Sequence, residues 1–266
     1  MSSKILLKKA TVFLGPLTLV VLWEIWLTWE RAVIEIGLLT LAVVVGTVWY
    51  LTLRPLAISQ LKVSFHQQEF WRFLITPGVF ILAVYLFILI TENHFWQQLL
   101  IIAANLLFLL VLQNLFDRFH QSSRYSSRSF ESISGNINSI SLFLLSVIFY
   151  SFITFLNMAA WQLALLLLVG TTFLTYQIMW LAGLAIQKSW LYVLVIDLIV
   201  VELFWVLLFL PNTFYIKALV ITIIYYVGVN LSRNYLIDLL NSKMIWRYLT
   251  VGGIILLIAL GTAQWS

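Results

Sequence analysis

Long apolar segments alternate with short polar connections along almost the whole chain, and this alternation predicts the fold. A transmembrane helix needs roughly 20 apolar residues to cross about 30 Å of hydrocarbon. The segments that meet this length predict nine spans, at about residues 10–29, 32–53, 73–90, 95–116, 137–156, 161–185, 190–210, 213–231 and 244–263. We therefore expect an all-α, polytopic transmembrane helix bundle of about nine spans, forming a single integral membrane domain over residues 1–266.

The basic residues indicate which side of the membrane each connection faces. Of the 15 lysines and arginines, all but Arg31 and Lys217 lie at the N-terminus, on every second connection or, for Arg247, in the first turn of the span that follows such a connection. Basic residues are retained on the cytoplasmic side during insertion. The pattern thus predicts a cytoplasmic N-terminus, a C-terminus on the opposite side and short outer turns. The predicted cytoplasmic connections are about 54–72, 117–136, 186–189 and 232–243.

Two of these connections have a distinctive composition. The connection at 54–72 carries apolar residues that would suit a segment lying in the membrane interface. The connection at 117–136 is rich in serine and contains Arg118, Arg124 and Arg128. Serine-rich segments are typically flexible linkers, although arginines and hydroxyls could also bind a phosphate group. We expect a flexible connection.

Composition excludes several classes of protein and site. With 63% hydrophobic and 9% charged residues, the chain has too little polar surface for a water-soluble globule of its length. It has no cysteine, which excludes disulfides and thiolate metal sites. Its histidines, His66, His94 and His120, fall in connections on two predicted sides and cannot share a metal ion. We expect no metal and no cofactor.

The expected partners follow from the same features. They are the lipid bilayer, anionic lipid headgroups at the basic cytoplasmic face and other membrane proteins, but no nucleic acid. A multi-pass protein of this kind is expected in a bacterial-type inner membrane.

Two carboxylates near the middle of the predicted span 190–210 are the most prominent candidates for chemistry. A charge at that depth costs roughly 2.5–3.5 kcal/mol on insertion scales, so Asp197 and Glu202 each need a partner, a proton or water. Five residues separate them, which corresponds to about 140° around a helix, so they do not form a ready pair.

Helix geometry suggests partners for both carboxylates. At a rise of about 1.5 Å per residue, Glu202 lies level with the reach of Lys217, which predicts an ion pair. Asp197 is expected to be protonated or hydrogen-bonded to polar groups at its own level. The predicted intramembrane polar site therefore comprises Asp197, Glu202, Lys217, Tyr176, Gln177 and Tyr225.

A second candidate is a polar stripe on the predicted span 95–116. Four polar residues fall within about 120° of one another on a helical wheel and so must face protein or water; they are Gln98, Asn105, Gln113 and Asp117. Such a stripe could line a solute path, and amide hydrogen bonds between helices would produce the same pattern.

Three functions are compatible with these features. The favoured one is a small-solute or proton-coupled carrier that uses the mid-membrane carboxylates. The alternative is a non-catalytic membrane subunit or scaffold, in which buried polar groups only hold helices together. The third is a lipid-modifying membrane enzyme, although the chain lacks paired aspartate-rich motifs, a histidine motif and a serine placed near a base. We expect no catalytic residues.

Overall fold

The structure is a computed structural model that describes residues 68–120 and 127–261, together with residues 16, 17, 19–21, 23 and 24. Side chains are described throughout these ranges except at residues 68–71, 73, 74 and 115–130. Most of the predicted first span, the whole second span and most of the connection at 54–72 lie outside the described residues. The described residues within the predicted first span are helical.

Every regular element in the described part of the chain is a helix, as the sequence predicts. Six of the helices are long and apolar enough to cross a membrane, and a shorter apolar segment lies at Ile75–Ile90. The chain is therefore a helical membrane protein. The total of nine spans and the side on which each connection lies stay predictions. The helices are α1 Gln68–Ile90, α2 His94–His120, α3 Ser127–Leu156, α4 Ala160–Leu181, α5 Ile186–Leu208, α6 Phe214–Leu236 and α7 Ser242–Gly261.

The chain divides into two compact units, Met1–Ser134 and Gly135–Ser266. In the N-terminal unit, α1 and α2 pack as a hairpin. The side chain of Asn93 accepts a hydrogen bond from the Phe95 N–H and so caps the start of α2. The buried Gln97 amide donates to the backbone carbonyls of Ile88 and Thr91. The Thr91 carbonyl lies just beyond the end of α1, and the Ile88 carbonyl also accepts from the Thr91 N–H (3.2 Å), so Gln97 reinforces the turn that leads into α2.

In the C-terminal unit, α4 packs on α5, α5 on α6 and α6 on α7, with a further contact between α4 and α6. Helix α3 joins this group through hydrogen bonds to α4 and α5. Helix α7 packs on α6 through Gly252, where a Cβ atom would lie 3.0 Å from Val227 Cγ2. The absence of a side chain at Gly252 permits this close approach.

The turn between α4 and α5 is set by Gly183, whose φ of 74° is a conformation that residues with side chains rarely adopt. The Gly183 N–H donates to the Trp180 carbonyl (2.9 Å), and the Leu184 N–H donates to the Met179 carbonyl (3.2 Å). This pair of bonds is a Schellman motif, which ends a helix. As a result α4 ends at Leu181 and the turn occupies residues 182–185, earlier than the predicted connection at 186–189.

The prediction of a flexible connection at 117–136 is wrong for its described residues. Helix α2 continues to His120, and α3 begins at Ser127, ten residues before the predicted start of that span. Residues 121–126 lie outside the description. Serine lowers helix propensity only slightly, and Ser134 is completely buried. Packing of this part of α3 accounts for the helix, because tertiary contacts override weak local preferences.

Candidate intramembrane polar site

The buried polar groups of the C-terminal unit begin on α3, where small residues line the packed face. Ser141, Ser146 and Ser151 are each at most 2% exposed. Ser141 and Ser151 donate to carbonyls one turn back in their own helix, at 2.8 and 2.9 Å. Small side chains that are satisfied in this way let neighbouring helices approach closely.

Asn138 links α3 to α4 in this face. Its side-chain Nδ2 donates to the Leu174 carbonyl (3.3 Å) and to Gln177 Oε1 (3.4 Å). Both Asn138 and Gln177 are completely buried. The pair is an interhelical amide bond of the kind that holds membrane helices together.

Asp197 lies on the buried face of α5 and is only 1% exposed. Its Oδ2 is 2.6 Å from the Thr172 hydroxyl on α4. No cation contacts it among the described residues, and its Oδ1 has no hydrogen-bond partner there. A carboxylate in this position depends on hydroxyl groups, a proton or water for its stabilisation.

The Thr172 hydroxyl faces two oxygen atoms at once. It lies 2.6 Å from Asp197 Oδ2 and 2.8 Å from the Leu168 carbonyl of its own helix. A threonine hydroxyl has one proton to donate and can also accept. When Asp197 is ionised, Thr172 donates to the carboxylate. When Asp197 is protonated, its O–H donates to Thr172, which then donates to Leu168. Asp197 Oδ2 therefore has a hydrogen bond in either protonation state.

Tyr225 on α6 and Thr171 and Thr175 on α4 also lie in the surroundings of Asp197. All three side chains are at most 1% exposed. The Tyr225 hydroxyl interacts with Thr175 and, through space, with the charge of Asp197. Neither hydroxyl makes a hydrogen bond of standard geometry within the described residues. Helices α4, α5 and α6 thus bring Asp197, Tyr225 and three threonines, at positions 171, 172 and 175, together in the interior of the C-terminal unit.

A separate polar contact lies near the α5–α6 turn. The Tyr150 hydroxyl on α3 donates to the Phe204 carbonyl on α5 (3.0 Å), and the two rings stack with centroids 4.7 Å apart. The Lys217 ammonium lies 5.6 Å from the centre of the Tyr150 ring and 3.5 Å from the Leu208 carbonyl. A cation over an aromatic face and at a helix C-terminus is favourably placed.

The predicted ion pair between Glu202 and Lys217 is wrong. Glu202 is exposed on α5, whereas Lys217 contacts Tyr150 and the end of α5. The rise per residue of a helix sets the relative heights of the two side chains, but it does not set their directions around the helices. Because Glu202 lies about 140° from the buried Asp197, it faces away from the packed side of α5.

The expected partners of Asp197 are only partly the observed ones. Tyr225 interacts with Asp197, and α4 contributes the Thr172 and Thr171 hydroxyls, which the sequence did not predict. Tyr176 is half-buried, and Gln177 accepts from Asn138. The neighbours on α4 differ from the predicted ones because the turn lies at residues 182–185, earlier than predicted. Moving the turn of an antiparallel helical hairpin by one residue changes which residue of the first helix faces a given residue of the second by about two positions.

The predicted polar stripe lies on α2 in the N-terminal unit. Asn105 is buried and donates to the Ile101 carbonyl of its own helix (2.7 Å), while Gln98 and Gln113 are half-buried. The backbone of Asp117 is helical, and its side chain lies outside the description. A role of the stripe in a solute path stays a prediction.

Sequence reasoning missed five residues of the C-terminal unit: Asn138, Tyr150, Thr171, Thr172 and Thr175. One signal could have found Thr172, because Gly183 is a typical helix-terminating residue. A turn centred on Gly183 would have placed Asp197 opposite the threonines of α4. The sequence places Asn138 among the first residues of the predicted span 137–156, where a polar side chain can reach the membrane–water interface. It therefore gave no signal of a buried contact.

Comparisons with known proteins give a family and no described activity. No curated protein and no solved structure matches the chain. One family matches residues 16–262, a range that includes all of helices α1 to α7. The chain therefore belongs to the family described as "Protein of unknown function (DUF5656)".

Proposed function

We propose that the protein is a membrane carrier for a small solute, driven by the binding and release of a proton at Asp197. The observation that carries this proposal is the position of the Thr172 hydroxyl between Asp197 Oδ2 and the Leu168 carbonyl. A group that changes protonation inside a membrane must be stabilised in both forms, or one form would be too costly to populate. The Thr172 hydroxyl supports each form by reversing the direction of one hydrogen bond.

The surroundings of Asp197 also favour a proton over a permanent ion pair. The described residues around it provide hydroxyl groups and no basic side chain in contact. Ionisable residues within membrane spans typically mark ion or proton pathways. A structural carboxylate would be expected to have a fixed cationic partner or more complete hydrogen bonding.

A second candidate, a non-catalytic membrane subunit, is favoured by the other polar contacts. Asn138 and Tyr150 form interhelical hydrogen bonds that require no solute. Thr222 on α6 donates only to a carbonyl of its own helix, that of Ala218 (2.8 Å). In this alternative Asp197 is one more contact that locks α4 to α5.

The proposal is tested with purified protein in liposomes that contain a pH-sensitive dye. An inward proton gradient is imposed with and without a panel of amino acids, sugars and organic ions. We expect one class of solute to accelerate internal acidification relative to protein-free liposomes. Asp197→Asn should reduce this flux to the protein-free rate, while the protein keeps its elution volume in size-exclusion chromatography.

Glu202→Gln is the matched control because it removes a carboxylate from the same helix on its exposed face. It should retain the flux. Wild-type protein that is indistinguishable from empty liposomes with every solute would reject the carrier function. A flux that survives in Asp197→Asn would show that Asp197 is not the coupling group and would favour the subunit alternative for this site.

A further inference from the structure

The contact between Thr172 and Asp197 lies at the edge of the α4–α5 interface, where packed and exposed faces meet. On each helix the residue three positions after the polar one is buried: Val200 and Thr175 are both 0% exposed. The residue three positions before it is exposed: Leu194 is 45% and Val169 is 50% exposed. These neighbours lie about 60° to either side of the polar residue. Asp197 therefore lies one layer of side chains below an exposed surface, which we call the α4–α5 seam (Val169, Thr172, Leu194 and Asp197).

The α4–α5 seam lies near the middle of the membrane. Both helices are long and apolar enough to span it. Helix α5 runs from Ile186 to Leu208, so Asp197 is about 16 Å from either end. The large exposed side chains at this depth are apolar: Leu165, Val169 and Phe173 on α4, and Leu191, Leu194 and Leu198 on α5. A molecule that approaches Asp197 through the seam thus comes from the hydrocarbon and meets apolar side chains first.

The charge of Asp197 decides which kind of molecule fits this surface. Its contact at hydrogen-bond distance in the described part of the chain is a hydroxyl, and no basic side chain touches it there. A buried carboxylate without a cationic partner is costly, and a bound cation removes that cost. A small inorganic cation would lose its hydration shell on an apolar route. An organic cation with apolar substituents complements both the carboxylate and the surrounding side chains.

We propose, on the basis of the proposed carrier function, that the α4–α5 seam binds a lipophilic organic cation from the bilayer and that this cation replaces the proton at Asp197. The exchange is balanced in charge. When the cation pairs with the carboxylate, the carboxyl proton leaves to the buffer. When a proton returns to the carboxylate, the cation loses its counter-ion and leaves. The solute class of the carrier is then a lipophilic cation, exchanged one for one with a proton.

The charged residues of the helices that pack on α5 lie apart from Asp197. Helix α4 contains none, and α3 carries its own in its first two turns. On α5, Lys188 is in the first turn and Glu202 lies about 140° around the helix. On α6, Lys217 contacts the end of α5 and Arg233 is in the last turn. The other titratable side chains on these helices include the phenols of Tyr176, Tyr225 and Tyr150. Competition between cation and proton is therefore expected at Asp197 itself.

The test uses the purified full-length protein in detergent, with tetraphenylphosphonium as the probe. Isothermal titration in two buffers of different ionisation enthalpy measures both the affinity and the number of protons released. We expect saturable binding of one cation with release of one proton. Where Asp197 starts protonated, the affinity should fall by about tenfold for each unit of acidification. Asp197→Asn should abolish the proton release and the saturable binding while keeping the elution volume of the wild type.

A pair of tryptophan variants tests the location. Leu194→Trp fills the α4–α5 seam and should weaken binding by about tenfold through steric exclusion. Val195→Trp is the matched control, because Val195 is 48% exposed at the same depth but lies about 160° from Asp197 around the helix. It should keep both the affinity and the proton release. Equal affinities in the two variants would overturn the seam as the binding site.

Access from the lipid is tested separately with dicyclohexylcarbodiimide, a membrane-soluble reagent for protonated carboxyl groups. Its central carbon bonds to a carboxyl oxygen of Asp197, and the carboxyl proton moves to a nitrogen of the reagent. Mass spectrometry of the protein in lipid should locate the adduct at Asp197, and tetraphenylphosphonium should protect against it. An unmodified Asp197 at low pH would overturn access through the seam.

Binding and flux separate this proposal from the carrier function itself. An Asp197-dependent flux with another solute, in a protein that does not bind tetraphenylphosphonium, overturns the cation site and keeps the carrier. Cation binding with proton release, in a protein without flux in liposomes, supports the cation site and rejects transport.

Discussion

The contact between Thr172 and Asp197 makes a quantitative prediction about stability. Thr172→Val keeps the shape of the side chain but removes the hydroxyl that lies 2.6 Å from Asp197 Oδ2, so that Asp197 retains only its weaker interaction with the Thr171 hydroxyl of α4. In contrast, Asp197→Ala leaves Thr172 satisfied by the Leu168 carbonyl at 2.8 Å. Thr172→Val should therefore be costly in the wild-type protein and nearly neutral once Asp197 has been removed.

The expected size follows from the geometry of the contact. Hydrogen bonds between membrane helices contribute about 0.6 kcal/mol on average and up to about 1.7 kcal/mol. The 2.6 Å distance is at the short end for oxygen pairs, and Asp197 is shielded from solvent. A buried acceptor that loses its partner costs about 1–3 kcal/mol. We expect a coupling free energy of about 1–2 kcal/mol between the two sites, from these ranges combined.

The assay is reversible unfolding of the two single variants and the double variant in mixed micelles of a non-ionic detergent and sodium dodecyl sulfate. Tryptophan fluorescence provides the signal, since the chain has 12 tryptophans. Thr222→Val, which loses only a bond within its own helix, is the control and should cost the same with or without Asp197. If Thr172→Val and Asp197→Ala are additive within about 0.5 kcal/mol, the reasoning is refuted.

Two further predictions concern packing and topology. Gly253→Ala, where a Cβ meets nothing within 4 Å, should stabilise α7 by up to about 1 kcal/mol. Gly252→Ala should destabilise it by about 1–3 kcal/mol, because the new methyl group lies 3.0 Å from Val227 Cγ2. Similar unfolding midpoints for the two variants would contradict the packing of α7 on α6. Because the chain has no native cysteine, Ala185→Cys and Pro211→Cys can report sidedness directly. A membrane-impermeant maleimide added outside intact cells should label only Pro211→Cys, and labelling of both would contradict the predicted alternation.

Much of the fold could be predicted because the membrane restricts the possible structures. In hydrocarbon every backbone group must be satisfied internally, so each long apolar segment becomes a helix. Helices α2 to α7 each contain most of a predicted span. The predicted ends of the helices were less accurate where a turn motif or packing between helices moved them. Gly183 ended α4 early, and the buried face of α3 extended that helix through a serine-rich segment.

The candidate site could be predicted only in part. Asp197 was identified because a carboxylate in an apolar span is expensive and needs compensation. The same reasoning selected Glu202, which the structure leaves exposed. Sequence spacing showed that the two cannot share a face, but it did not show which of them faces the interior. That choice depends on which side of α5 packs against α4 and α6.

The sequence by itself thus determined that this protein is a membrane bundle of helices with a carboxylate in its interior, since apolar length and the cost of charge act locally along the chain. Only the tertiary structure decided the partners of that carboxylate. Helix rotation and the position of each turn set which side chains meet, and both depend on packing between helices. A turn placed at Gly183 brought Thr172 to Asp197, and the packing of α3 on α5 placed Lys217 against Tyr150 instead of Glu202.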